Sequence, residues 1–73
     1  MADPDVARAL IARYRAHQVR DREAIAWIDA GGRHYDQATG RTEFVDTTAS
    51  YRSDRVSHIE MLDDLIRLYQ RDV

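Results

Sequence analysis

Residues 34–44, HYDQATGRTEF, most constrain the fold, because this is the one segment that is clearly not helical. Gly40 fits the left-handed position that closes a short hairpin loop, and the residues on both sides suit short strands. Helical patterns precede and follow the segment. The sequence therefore predicts an α+β fold in one small domain, with the order helix, short antiparallel β-hairpin, helix. A mostly α-helical fold is the alternative.

The hairpin is predicted over about residues 33–46, with residues 37–40 as its loop. This register brings polar or oppositely charged residues face to face: Asp36 with Arg41, Tyr35 with Thr42, and His34 with Glu43. One face of the ribbon, which carries Tyr35, Thr42 and Phe44, is expected to pack on the helices. The other face is expected to point away from them: His34, Glu43 and Val45.

The first helix is predicted over about residues 4–30. Asp3 suits the N-cap, and Pro4 suits the first helical position. The glycine pair at 31–32 supplies a stop, since glycine adopts left-handed backbone angles cheaply. An additional strand over residues 21–30 stays open as an alternative. At about 100° per residue, seven residues form the predicted core stripe: Val6, Leu10, Tyr14, His17, Ala24, Ile25 and Ile28.

The second helix is predicted over about residues 57–71, after a polar connecting loop over residues 45–56. Ser57 and Glu60 have the spacing of a capping box, and Ser53 is an alternative start. Apolar residues cover about half of the circumference of this helix, which is wider than one packing partner requires. They are Ile59, Met61, Leu62, Leu65, Ile66, Leu68 and Tyr69. The extra width indicates a second contact, either with the hairpin or with another subunit.

All eleven basic residues are arginines, and they are nearly balanced by thirteen acidic residues. This balance argues against strong binding to phosphate, so nucleic-acid binding is kept only as a weaker alternative. Several arginines flank the stripe of the first helix, and Trp27 projects about 100° away from its centre. The candidate interaction residues are Arg8, Arg13, Arg15, Arg20, Arg22, Trp27, Tyr35, Phe44, Met61 and Leu68.

No catalytic, cofactor-binding or metal site is predicted. The chain has no cysteine, its three histidines lack metal-ligand spacing, and no glycine-rich phosphate loop is present. His17 and Asp21, four residues apart, are the one candidate polar pair on the apolar stripe. We therefore expect a protein that is not an enzyme and needs no cofactor.

The small size of the chain points to partners. A chain of 73 residues without disulfides buries a limited core, and self-association is a natural support. No apolar run approaches the roughly 20 residues that cross a bilayer, and the N-terminus has acids where a signal peptide needs bases. We expect protein partners, a homo-oligomer, no membrane contact, and a cytoplasmic or virion-associated location.

The segment TGRTEF at 39–44 is followed by TTAS at 47–50 and then by an amphipathic helix. This order resembles the phage protein W family, the small head-to-tail joining proteins of tailed phages. The first helix and the linker are longer than that pattern, and a basic tail is missing. The resemblance implies a structural role, in which copies form a ring between portal and tail. The alternative is a small regulatory binder, such as an antitoxin, an inhibitor or an accessory subunit.

Overall fold

The computed structural model describes residues 3–73 and contains two long helices joined by a two-stranded hairpin. In chain order the elements are helix α1 (Pro4–Asp29), strand β1 (Tyr35–Gln37), strand β2 (Phe44–Asp46) and helix α2 (Thr48–Gln70). The helices lie antiparallel, side by side, and the hairpin joins them at one end. The predicted order of helix, antiparallel hairpin and helix is confirmed.

Helix α1 begins as its sequence predicts. The carboxylate of Asp3 accepts hydrogen bonds from the backbone N–H groups of Asp5, at 2.8 Å, and Val6. These donors have no partner inside the helix, so the side chain satisfies them. Pro4 occupies the first helical position, where its missing N–H costs nothing. The helix then continues without a break to Asp29, and residues 21–29 are helical rather than a strand.

The end of α1 is a Schellman motif built on two glycines. Gly31 N–H donates to the Ile28 carbonyl and Gly32 N–H donates to the Trp27 carbonyl, both at 2.9 Å. Gly31 has a φ of 107°, which is a left-handed conformation that favours glycine. The expected helix stop is therefore observed, and the carbonyls of Trp27 and Ile28 each accept a hydrogen bond.

The predicted start of the second helix is wrong, because α2 begins at Thr48 instead of about residue 57. Residues 48–56, expected in a loop, form its first turns. The Asp46 carboxylate accepts the Thr48 backbone N–H at 2.9 Å and also the Thr48 hydroxyl. The inward-facing positions of these turns are polar or aromatic, so they lack the apolar spacing that normally reveals a helix.

The buried seam between the helices is rotated from the predicted stripe. Val6, expected inside, is 53% exposed, whereas Gln18 and Asp21 are each only 3% exposed. The prediction left the polar Gln18 out of the stripe, although it placed Asp21 on it, and so centred the stripe away from the observed seam. The buried residues of α1 follow heptad-like spacing: Ala7, Ile11, Gln18, Asp21 and Ile28. Those of α2 are Thr48, Leu62 and Ile66.

The predicted hairpin register is also wrong. Opposing residues are Tyr35 with Asp46, Asp36 with Val45, and Gln37 with Phe44. The loop is therefore residues 38–43, and within it Arg41 N–H donates to the Ala38 carbonyl at 3.0 Å. Gly40 takes the expected left-handed conformation, with a φ of 76°.

The anchor for this register lies just outside the strands. The Thr47 backbone N–H donates to the His34 carbonyl at 2.9 Å, and Thr47 stands directly before α2. The end of the hairpin is thus set by the start of the helix. The expected packing of the ribbon on the helices is not observed, since every residue of both strands is exposed.

Candidate functional site

A polar cluster lies in the middle of the helix seam, around the carboxylate of Asp21. The Asp21 side chain is 4% exposed and accepts a hydrogen bond from Arg55 Nη1 at 3.2 Å and one from His58 Nδ1 at 2.5 Å. The predicted pairing of Asp21 with His17 on the same helix is wrong. Both partners come from α2, because Asp21 faces the other helix rather than the edge of its own.

Gln18 provides a second polar contact one helical turn away from Asp21. Its side-chain amide donates to the Asp63 carboxylate at 2.7 Å and to the Ile59 carbonyl at 3.0 Å. A slide of one helix by a turn would leave a buried carboxylate and a buried amide without partners, which is costly. These contacts therefore select one register for the two helices.

The cluster continues towards the hairpin through stacked rings. The Arg55 guanidinium lies 5.4 Å from the centre of the Tyr51 ring. The His34 ring stacks on the same Tyr51 ring, with the ring centroids 4.0 Å apart and an angle of 7° between the ring planes. The ring atom Nδ1 of His34 is hydrogen-bonded to the Thr47 hydroxyl at 2.8 Å, and the His34 backbone N–H donates to the Thr48 hydroxyl at 2.9 Å. These two hydrogen bonds hold His34 at the start of α2. His34 was expected to point away; instead it attaches the hairpin to α2.

A salt bridge joins the two helices at the hairpin end of the molecule. Arg52 donates from Nε and Nη2 to the two carboxylate oxygens of Asp29, at 2.9 and 3.1 Å. These hydrogen bonds lower the pKa of Asp29 below its usual value of 3.8 and raise the pKa of Arg52. Both side chains are about half exposed, so the pair contributes orientation more than stability.

The Asp21–His58 pair has the form of a catalytic dyad but lacks the other parts of a site. A general base also needs a substrate pocket and a reacting group within hydrogen-bond reach. Within residues 3–73, no hydroxyl or carboxylate is hydrogen-bonded to the second ring nitrogen of His58. A surface groove of about 290 Å³ lies elsewhere, near the open end of the helix pair. The groove is lined by Arg8, Ile11, Ala12, Arg15, Gln70 and Val73.

The structure does not bring the candidate arginines into one cluster. All five are exposed in the described chain: Arg8, Arg13, Arg15, Arg20 and Arg22. Arg8 pairs with Asp5 at 2.7 Å, and Arg8 and Arg15 line the groove. Arg13 and Arg20 lie on the other edge of α1. Within residues 3–73, no cluster of three potential metal ligands occurs either.

The apolar candidate residues are also all exposed at the surface. Phe44 is 68% exposed, and the side chains of Trp27 and Tyr35 are slightly more than half exposed. The strand register places Tyr35 and Phe44 on the same face of the hairpin. Phe44 lies opposite Gln37, and Tyr35 is two residues from Gln37 on the same strand, so all three side chains point to one face. Val45, which was not a candidate, adds a fourth large apolar side chain at this end, on the other face of the ribbon. We call these four residues the hairpin surface.

Met61 and Leu68 are about half exposed and lie away from the hairpin on α2. The residues that sequence reasoning missed are the polar partners within the seam. Arg55 and His58 fall in or beside the segment that was expected to be a loop, so no local signal placed them opposite Asp21.

Comparison with known proteins adds no identification. No protein-family model, curated protein or solved structure matches this chain. The resemblance to head-to-tail joining proteins therefore stays a prediction. Neither of the two helices described in residues 3–73 is long and apolar enough to cross a membrane.

Proposed function

We propose that this chain is a non-catalytic adaptor that acts through protein–protein contacts, with the hairpin surface as the binding site. The proposal rests on one observation. Four large apolar side chains, at Trp27, Tyr35, Phe44 and Val45, are more than half exposed at one end of the molecule. Aromatic side chains are enriched in the centres of interfaces because each removes a large area from water.

The strands favour a partner that offers an extended segment. A two-stranded sheet has two open edges, whose unpaired N–H and C=O groups can pair with another strand. Recognition of this kind obtains affinity from the backbone and specificity from side chains beside the strand. Tyr35 and Phe44 are in position to supply those side-chain contacts.

The way the hairpin is attached supports the same role. Its base is fixed by His34, which stacks on Tyr51 and bonds to Thr47, while its strands do not pack on the helices. The hairpin is held in place without using its own apolar side chains. Binding to a surface that is already ordered loses less conformational entropy.

A site-specific crosslinking experiment tests this proposal. A photoreactive residue replaces Phe44 in cells of the source organism, and a control chain carries it at Arg15, which is exposed on α1. We expect one protein to crosslink at position 44 and not at position 15. Equal crosslinking at both positions, or none at position 44 above background, would contradict the proposal.

The purified complex then gives the affinity and the stoichiometry. Phe44→Ser should weaken binding at least about 10-fold, as loss of a buried aromatic anchor does. Val19→Ser, at a half-exposed position away from the hairpin, should leave binding unchanged. A multi-copy ring on a portal would support the head-to-tail connector as the specific role. A single partner bound to one or two chains would support the regulatory binder.

A further inference from the structure

The hairpin depends on its attachment to the helices for a fixed position. A two-stranded hairpin alone in water is at best marginally stable. All six residues of the two strands are exposed, so burial of their side chains does little to hold them in place. The contacts that order the hairpin must therefore act at its base, where the chain leaves α1 and enters α2.

The base of the hairpin lies against both helices. A Cβ atom at Gly32 would lie 2.3–2.5 Å from ring atoms of Trp27, so the backbone there lies directly against that ring of α1. On the side of α2, the His34 ring stacks on the Tyr51 ring. Both rings of this stack are only half-buried, so the stack persists only while each ring is held in its orientation.

The Tyr51 ring has a second contact, with Arg55 one helical turn later. Side chains on a helix lean towards its N-terminus, so the Arg55 side chain extends back over the preceding turn. Its guanidinium lies 5.4 Å from the centre of the Tyr51 ring, within the range of a cation–π interaction. The Tyr51 ring thus links His34, at the base of the hairpin, to Arg55.

Arg55 is held against this ring by Asp21 of α1. The Arg55 Nε atom is buried without a hydrogen-bond partner among the described residues, which is unfavourable. The Arg55 side chain is 34% exposed, so without a compensating contact the guanidinium would move into water. The compensating contact is the hydrogen bond from Nη1 to Asp21 Oδ1. The other oxygen of Asp21 bonds to His58, so the carboxylate cannot turn without losing a partner.

We propose that Asp21 and Arg55 are positioning residues, which order the hairpin from inside the helix seam. The carboxylate holds the guanidinium against the Tyr51 ring, and that ring holds His34 at the base of β1. Asp21 has no hydrogen bond to the hairpin among the described residues, so it acts through this series of contacts. The order of the hairpin needs no partner, whereas the effect on binding rests on the proposed function.

NMR spectroscopy of the free chain tests the series of contacts. The ring current of Tyr51 shifts the ring protons of His34 upfield, so Tyr51→Leu should abolish the shift and Tyr51→Phe should retain it. Arg55→Met keeps the apolar stem without the guanidinium and should reduce the shift by at least about half. Asp21→Asn keeps the shape without the charge and should act in the same direction, with a smaller effect. An unchanged His34 shift in the last two variants would overturn the proposal.

Amide hydrogen exchange separates opening of the hairpin from unfolding of the chain. The Thr47 N–H bonds to the His34 carbonyl across the base of the hairpin, and the Leu62 N–H lies in the middle of α2. Arg55→Met should accelerate exchange at Thr47 at least about 10-fold more than at Leu62. Equal acceleration at both amides would show that the variant only destabilises the whole chain, and would overturn the proposal.

Arg52→Met is the matched control for that variant. It also removes a salt bridge from α2 to α1, in this case to Asp29, but not the contact with the Tyr51 ring. We expect no selective acceleration at Thr47. If the two arginine variants accelerate exchange at Thr47 equally, any salt bridge at this end orders the hairpin and the specific role of Arg55 is overturned.

The affinity of the purified complex separates this inference from the proposed function. A partner binds only the fraction of chains in which the hairpin is ordered, so Arg55→Met should weaken binding at least about 3-fold. If Arg55→Met loosens the hairpin but leaves binding unchanged, the positioning role stands and the hairpin is not the binding site. If Phe44→Ser weakens binding while Arg55→Met leaves the hairpin ordered, the binding site stands and the positioning role is overturned.

Discussion

The helix seam and the hairpin use their residues in opposite ways. The seam buries polar groups, Gln18 and Asp21, and supplies each with partners on the other helix. The hairpin exposes apolar groups, and none of its six strand residues is buried. The seam therefore fixes the fold, and the hairpin is attached to it without contributing buried residues. Side chains that do not hold the fold together are free to bind something else.

The largest expected effect is a cavity in the seam. Leu62 is 3% exposed, so Leu62→Ala removes buried methyl groups and should cost about 3 kcal/mol of unfolding free energy. A domain of this size has roughly 4–10 kcal/mol in total. Val19→Ala, at an exposed position of α1, should cost less than about 0.5 kcal/mol. Urea unfolding at one fixed protein concentration measures both; equal costs would mean that the seam is not the core.

Removal of the Asp21 carboxylate should have the next largest effect. Asp21→Ala leaves Arg55 and His58 without their partner, and we expect a cost of about 2 kcal/mol. This is less than the roughly 3–5 kcal/mol typical of a fully buried pair, because both partners are about one-third exposed and water can replace part of the contact. Asp54→Ala, an exposed carboxylate on α2, is the control. Equal melting temperatures of the two variants would show that the polar cluster does not hold the helices.

The junction between the two regions can be probed at Gly32. A Cβ atom at this position would lie 2.3–2.5 Å from ring atoms of Trp27, so Gly32→Ala must displace the ring. We expect a cost of about 1 kcal/mol and a red shift of the fluorescence of this one tryptophan.

The neighbouring glycine is the matched control for that variant. Gly31→Ala meets nothing within 4 Å, but it strains a backbone with a φ of 107°. It should lose a similar amount of stability, about 1 kcal/mol, without a change in emission. A red shift in both variants would mean that the ring responds to the helix end as a whole and not to contact with residue 32.

Truncation at the hairpin should barely change the free chain. Phe44 is 68% exposed, so Phe44→Ser should alter the free energy of unfolding by less than about 0.5 kcal/mol. A urea titration beside that of Leu62→Ala gives the comparison directly. A cost above about 1.5 kcal/mol would show that the hairpin contributes to the core, and the contrast between the two regions would fail.

The smallest effect is an acid-sensitive contribution at the start of α2. Hydrogen bonds from the Thr48 hydroxyl and backbone N–H hold the pKa of Asp46 below its usual value of 3.8. A carboxylate with a depressed pKa stabilises the folded state fully above its unfolded pKa, and this is lost as the pH falls through the folded pKa. Asp46→Asn should therefore melt lower than wild type at about pH 7, and the gap should narrow below pH 3.8. Thermal melts from about pH 7 to about pH 2 measure the difference in melting temperature between the two proteins. A difference that does not change with pH would contradict a stabilising role of the Asp46 carboxylate.

Local signals predicted most of the architecture. The N-cap Asp3, the glycine pair at 31–32 and the turn glycine Gly40 each act within a few residues, and each does what its local chemistry predicts. The exposure of Trp27 also follows from its angle on a single long helix. Such features are readable from sequence because they depend on backbone geometry and on neighbours within about one helical turn.

For the candidate site residues too, local signals predicted some features and not others. Tyr35 and Phe44 of the hairpin surface were candidates in a short ribbon, although the face that carries them was expected to pack on the helices. Their exposure depends on the loop of residues 38–43 and on the attachment through His34. Neither feature follows from alternation of polar and apolar residues, because alternation indicates which residues share a face and not what that face packs against.

Local sequence signals are sufficient to predict the order of the elements and the boundaries of α1, and the composition excludes a disulfide framework. The start of α2, the hairpin register and the seam depend instead on contacts between residues that are far apart in the sequence. Asp21 and His58 are 37 positions apart, and no residue near either of them in the sequence indicates that the two side chains meet. A buried polar group is favourable only when a distant partner satisfies it, and no local pattern records that partner.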